Sequence, residues 1–196
     1  MAMGRPRAFD VEQAVAAVLP IFIEKGYEGA TFSDLVAVMG IKPPSFYAAF
    51  GSKEQLFERV VGLYAQRGEA IVQAALDQPT AYKAIEKLLR DTADADTDPA
   101  RPAGCLYVQG ALTCSDKAAG IREVLAQRRL AIEPLLQERI RSALAAGDQS
   151  VGGDPAKVAR FLSTVIHGLA VQAASGATRA ALHEVVDVTL DGIRRS

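Results

Sequence analysis

Between Thr31 and Gln55 the start and stop signals for helices fall so close together that only short helices joined by tight turns can satisfy them. Thr31 can cap a helix while Asp34 reaches back to its backbone, a capping box; that helix runs through Leu35 and Val38 and stops at Gly40. Ile41 and Lys42 fill a tight turn. Pro43 suits the first position of a third helix, where its missing N–H would have had no intrahelical partner. That helix runs to about Phe50 and breaks at Gly51, and Ser52 with Gln55 opens a long fourth helix through Leu56, Val60, Leu63 and Tyr64. Upstream, Asp10 and Gln13 form a further capping box ahead of the stripe Val11, Ala14, Val15, Val18 and Phe22, with Gly26 as its stop. Pro20 inside this helix removes a hydrogen bond at a cost of ~3 kcal/mol and is expected to kink it.

The rest of the chain also reads as helix, because apolar residues recur three and four apart and no alternating strand pattern appears. A helix opened by Pro79-Thr80 points Tyr82, Ile85, Leu88 and Leu89 inward and fades into an acidic surface loop from Asp94 to Pro102. A short apolar segment, Gly104 to Thr113, precedes a long amphipathic helix from about Asp116 to Ala145, bent at Pro134. After a loop from Gly147 to Gly153, Asp154 and Pro155 open another helix. No Asp, Glu, Lys or Arg occurs from Phe161 to Thr178, so this helix must be covered on all sides, one of them by a second subunit. The last helix, about Thr178 to Arg195, is amphipathic.

The composition excludes several classes. A 49% hydrophobic content supports a packed core, yet the longest apolar run, Ala14 to Ile23, falls short of the ~20 residues that span a bilayer. A soluble, cytoplasmic protein without membrane partners is expected. Cys105 and Cys114 make no disulfide framework, and on one continuous helix they would face opposite sides. With His167 and His183 they lack the close spacing of a metal site, so no metal and no cofactor is expected. Gly51-Ser52-Lys53 matches the end of a phosphate-binding loop but follows a helix and lacks the earlier glycine, and no nucleophile elbow or zinc-protease motif occurs, so catalysis is not expected. The net charge of -1 places any nucleic-acid binding on the arrangement of side chains rather than on total charge.

Two short helices joined by a turn that begins with glycine form a helix-turn-helix. Helical spacing turns Phe46 and Phe50 toward the core with Ile41 and Leu35, and leaves Lys42, Pro43, Ser45 and Tyr47 toward solvent. That outward face carries donors and a cation, as a groove-reading surface requires.

The string GYEGATFSDLVAVMGIKPPSFYAAFGSKEQLF, residues 26–57, resembles the DNA-binding domain of TetR-family regulators. The resemblance rests on Gly-Tyr after helix one, Thr opening helix two, the Gly-Ile turn, Ser-Phe-Tyr in the third helix and the Phe-Gly-Ser-Lys exit. It implies an all-α fold: an N-terminal three-helix DNA-binding domain, residues 1–53, and a helical effector-binding and dimerisation domain, residues 54–196. It implies a homodimer on a palindromic double-stranded operator, released by a small-molecule effector. Lys42, Pro43, Pro44 and Ser45 would lie nearest the base edges, with Tyr47, Lys53, Thr31 and Ser33 on the backbone. Ala48 and Ala49 stand where family members often carry aromatic or histidine residues, and Pro43-Pro44 replaces a common Lys-Gly, so readout would lean on thymine methyls and DNA shape. Those losses keep open an alternative, a helical ligand-binding or scaffolding protein whose helix-turn-helix no longer binds DNA.

Arg5 and Arg7 form an arm that either enters a narrow minor groove or is a basic tail. Polar groups on apolar helices, Cys105, Tyr107, Gln109, His167 and Gln172, are candidates to line an effector pocket. Phe161, Val165, Leu169, Leu182, Val186 and Leu190 on the last two helices are candidates for the dimer interface.

Overall fold

The computed structural model describes residues 10–112 and 118–194. Its helices are α1 (Val11–Gly29), α2 (Phe32–Met39), α3 (Pro43–Phe50), α4 (Lys53–Leu76), α5 (Ala81–Asp96), α6 (Leu106–Leu112), α7 (Ala119–Leu130), α8 (Ile132–Ala145), α9 (Pro155–Ala174) and α10 (Arg179–Ile193). Among the described residues there is no strand, only an isolated bridge between Val151 and Arg194. Arg5, Arg7 and Cys114 lie outside the described residues.

The helix starts follow the local signals, though with different completeness. The reciprocal capping box forms at Thr31, whose Oγ1 accepts from the Asp34 N–H while Asp34 Oδ2 accepts from the Thr31 N–H, both at 3.1 Å. Asp10 and Ser52 cap from one side: Asp10 Oδ1 accepts from the N–H groups of Glu12 and Gln13, and Ser52 Oγ from that of Gln55. Pro20 keeps helical dihedrals, so the expected irregularity there is absent. The break within α1 falls at Gly26 (φ 68°, ψ 179°). One missing N–H is tolerated where Val18, Leu19, Phe22 and Ile23 are buried around it.

Gly40 ends α2 in the left-handed conformation (φ 64°, ψ 30°), and the N–H groups of Gly40 and Ile41 close back onto α2 carbonyls at 3.2 Å. A Cβ at Gly40 would meet nothing, so the cost of a side chain there is backbone strain alone. Gly40→Ala is expected to lower stability by about 1 kcal/mol, roughly 2–4 °C in a thermal melt, with Gly40→Asn intermediate.

Two expectations fail, one through contacts distant in sequence and one through a local effect of proline. Residues 94–96 are helix, not loop: α10 grips the end of α5, with Arg179 and His183 bonded to Asp94 at 2.6 and 2.7 Å and Arg90 of α5 bonded to Asp187 at 2.8 Å. The single long helix through 116–145 is instead α7 and α8, separated at Ala131. Pro134 has no N–H for the Leu130 carbonyl and disfavours helical dihedrals just ahead of itself.

The core has two parts. One gathers Val18, Phe22, Leu35, Phe46, Phe57 and Val60 with Leu106, Ile121 and Leu125; the other joins the later helices from Ala75 to Ile193. Helix α1 packs on both α4 and α6, so the first three helices share apolar core with the body. The loop from Gly147 to Gly153 is anchored: Asp148 Oδ2 accepts from the Ala81 N–H at 2.7 Å and Ser150 Oγ from that of Tyr82, serving the start of α5.

Candidate nucleic-acid interface

Helix α3 is held by its inward face. Phe46 and Phe50 are buried beside Leu35, and Phe32 of α2 meets the Phe46 ring edge-on at 4.8 Å. The 3.6-residue period therefore leaves Lys42, Pro43, Pro44, Ser45, Tyr47 and Ala48 exposed together. Tyr47 is 56% exposed, yet its ring stacks on Phe32 at 5.4 Å, which sets its direction. Lys42 caps α3 with its backbone carbonyl, which accepts from Ser45 and Phe46, and its side chain stays exposed.

At the start of α2, Thr31 and Ser33 are both exposed, and Thr31 Oγ1 accepts from the Asp34 N–H. Lys25 is tied to Asp34 at 2.9 Å. That bond first, then those from Thr31, hold the Asp34 carboxyl down at about 2, against an ordinary 3.8. A folded-state value below the unfolded one means stability present above about pH 4 and lost as pH falls toward 2. Asp34→Asn is expected to lower the thermal midpoint at pH 7 and flatten its fall across that acid window; melts of both proteins from pH 7 to 2 check it.

Lys53 opens α4 with its ammonium 4.6 Å from the centre of the Tyr27 ring, and burial lowers its proton affinity. Arg59, one turn and a half further on, lies 5.5 Å from the Phe50 ring. Tyr27, Phe32 and Arg59 escaped sequence reasoning, because a ring that supports a contact residue looks like any core aromatic until its neighbours are known.

In the body, Cys105 and Tyr107 come together with a residue that sequence had placed on a surface loop. The Tyr64 hydroxyl and Cys105 thiol hydrogen-bond, and the Tyr64 and Tyr107 rings meet edge-on at 4.9 Å. Burial pushes the Cys105 thiol up and the Tyr107 phenol up to about 12. Asp96 is only 6% exposed, its Oδ2 has no hydrogen-bond partner, and burial raises its carboxyl to about 7. Gln109 bonds the Ala103 carbonyl at 3.5 Å, and Arg129 Nη1 donates to the Tyr107 carbonyl at 3.2 Å. His167, half-buried, bonds the Arg129 backbone, and burial and then the Arg129 charge depress its pKa. Gln172 does not join this group: it is exposed on α9 and lines a groove against α10.

That groove, about 300 Å³, is walled by Val165, Gly168, Ala181 and Val185. Phe161, Val171 and Val185 are exposed on the same two helices at 44–47%, and Val188 at 75%. The candidate interface residues divide between the protomer's surface and its core, with Leu169 and Leu182 also at the floor of the groove. Leu169, Leu182, Val186 and Leu190 are 0–2% exposed and fill the protomer's own core, because the apolar stripe that binds α9 to α10 uses them first.

Residues 15–60 match the family pattern of TetR-type bacterial regulatory proteins, and residues 81–189 match the tetracycline-repressor-like C-terminal domain. The chain belongs to the TetR family. ComR of Escherichia coli, a helix-turn-helix transcriptional repressor, is 31% identical over 189 residues, covering 95% of this chain and 90% of ComR. BdcR, a second repressor from the same organism, is 33% identical over 176 residues, covering 88% and 83%. The TetR-family regulator CifR, solved as a cysteine mutant complexed with 26-base-pair double-strand operator DNA, superposes with a TM-score of 0.90 at 38% identity over 97% of this chain and 100% of CifR. Like these TetR-family relatives, the chain is a helix-turn-helix transcriptional regulator and not an enzyme. Among the described residues no helix is long and apolar enough to cross a membrane.

Proposed function

We propose that the chain is a ligand-responsive repressor that binds a palindromic double-stranded operator as a homodimer in the cytoplasm. The observation that carries this reading is the continuous exposed face of α3, Lys42 to Ser45 and Tyr47, pinned from behind by two buried phenylalanines. In this reading α3 enters the major groove with Lys42, Pro43, Pro44 and Ser45 at the bases, and Tyr47, Thr31, Ser33 and Lys53 contact phosphates. Arg5 and Arg7 would extend the contact into a minor groove. Residues 1–53 serve as the reading head and 54–196 as the sensing and pairing body.

The partner subunit would cover the α9 and α10 face around Phe161, Val165, Val171 and Val185, setting two α3 helices one DNA turn, or a multiple, apart. An unidentified small-molecule effector would bind among Cys105, Tyr107, Gln109, His167 and Asp96, favouring a dimer with a different head spacing. Operator affinity then falls by the difference in effector affinity for the two states. The degenerate-motif alternative draws no support from relatives that are repressors or from an operator complex with CifR.

Selection of bound fragments from genomic DNA, followed by anisotropy titration of the winning duplex, tests the reading. A palindrome bound by two chains, weakened several-fold by Tyr47→Ala and by Lys42→Ala, is the expected result; enrichment of no palindrome would overturn it. Because few cations face the DNA, the slope of log affinity against log salt is expected to be shallow, and Lys53→Met should reduce it by about 0.9 for each copy that meets a phosphate.

A further inference from the structure

We infer that Tyr27 is a positioning residue for DNA binding, its ring holding the Lys53 ammonium at the start of α4 for a phosphate. This rests on the proposed contact between Lys53 and the DNA backbone. The arrangement begins at Gly26, whose positive φ interrupts α1 and places the next side chain against α4. The Tyr27 ring then lies edge-on to Phe57 at 5.1 Å and parallel to Phe22 at 6.5 Å. Both phenylalanines are fully buried, so the half-buried tyrosine ring has a rigid backing.

Lys53 Nζ sits 4.6 Å from the centre of that ring, at the helix end where Ser52 caps α4. A π face attracts the cation without cancelling its charge. Glu28 also attracts Lys53 electrostatically, but Lys25 shows a stronger pairing: its ammonium is bonded directly to Asp34 at 2.9 Å and offers little to a phosphate. A lysine on a free stem loses rotamer freedom when it meets a phosphate, and one already laid on a fixed ring loses less. Lys53 is also partly desolvated, so less water remains to be stripped from it on contact.

The test is a double-variant cycle read by anisotropy on a fixed duplex of about 30 base pairs at low salt, where sequence-independent phosphate contacts dominate. Lys53→Met is expected to weaken binding several-fold and to reduce the salt slope. Tyr27→Leu is expected to weaken it about two- to fivefold per bound chain, and Tyr27→Phe, which keeps the π face, less than twofold. The double variant Tyr27→Leu with Lys53→Met should bind no more weakly than Lys53→Met alone. Additive losses, or a Tyr27→Leu protein that binds like the parent, would overturn the inference while leaving the Lys53 contact standing. A Lys53→Met protein with unchanged affinity and slope would overturn both. Should Tyr27→Leu melt early, the ring-current shift of the Lys53 ε protons decides: present in the parent and in Tyr27→Phe, its absence from both sinks the idea.

Discussion

Replacing Asp96 by asparagine is expected to stabilise the protein by about 2–4 kcal/mol at pH 8 and to change it little at pH 4. Burial raises this carboxyl from 3.8 to about 7, and no hydrogen bond compensates Oδ2. Between those values the folded chain holds a proton that the unfolded chain has released. Stability therefore falls as pH rises from about 4 to 7 and levels off above, by as much as about 4 kcal/mol at about 1.4 kcal/mol per pH unit. Asparagine keeps the shape and cannot ionise, so the slope should vanish in the variant. Urea melts of both proteins at pH 4, 6 and 8 measure it, and parallel curves would contradict the buried, unpaired carboxyl.

The second large effect is expected on assembly. Val185 lies 44% exposed in the α9 and α10 groove, and in the proposed homodimer, whose two-fold axis would cross that groove, any change there counts twice. Val185→Asp would bury two uncompensated carboxylates, weakening the dimer by several kcal/mol, about a thousandfold or more in the dimer dissociation constant. The fold itself should survive, since the side chain faces outward in the protomer. Sedimentation at micromolar concentration is expected to show a monomer with parental helical content, and operator affinity should collapse because one α3 reads only half a site. A variant that stays dimeric would move the pairing surface elsewhere.

How far the sequence could be read depended on the range of the interaction concerned. The starts of α2, α3 and α4 were legible because Thr31, Pro43 and Ser52 act within one turn of themselves, and so was the outward face of α3, which follows from where Phe46 and Phe50 must point. The end of α5 was not, because Asp94 is held by Arg179 and His183, more than eighty residues away. The split between α7 and α8 lies within reach of the sequence, since Pro134 marks the place, but a proline inside a helix predicts a bend as readily as a break. For the interface residues, periodicity told that α9 and α10 are apolar without telling which apolar residues the protomer consumes itself: Leu169 and Leu182 go inward, Phe161 and Val185 remain outside.

The sequence by itself determined the all-helical class, the helix-turn-helix and the side chains of its reading face, because caps, stops and helical period are local properties of the chain. Tertiary structure alone decided what lies behind and between those elements: Tyr27 beneath Lys53, the buried and unpartnered Oδ2 of Asp96 near Cys105, and the α9 and α10 groove. Each of these depends on side chains brought together from separate helices, whose packing is set by the whole core and not by any stretch of it.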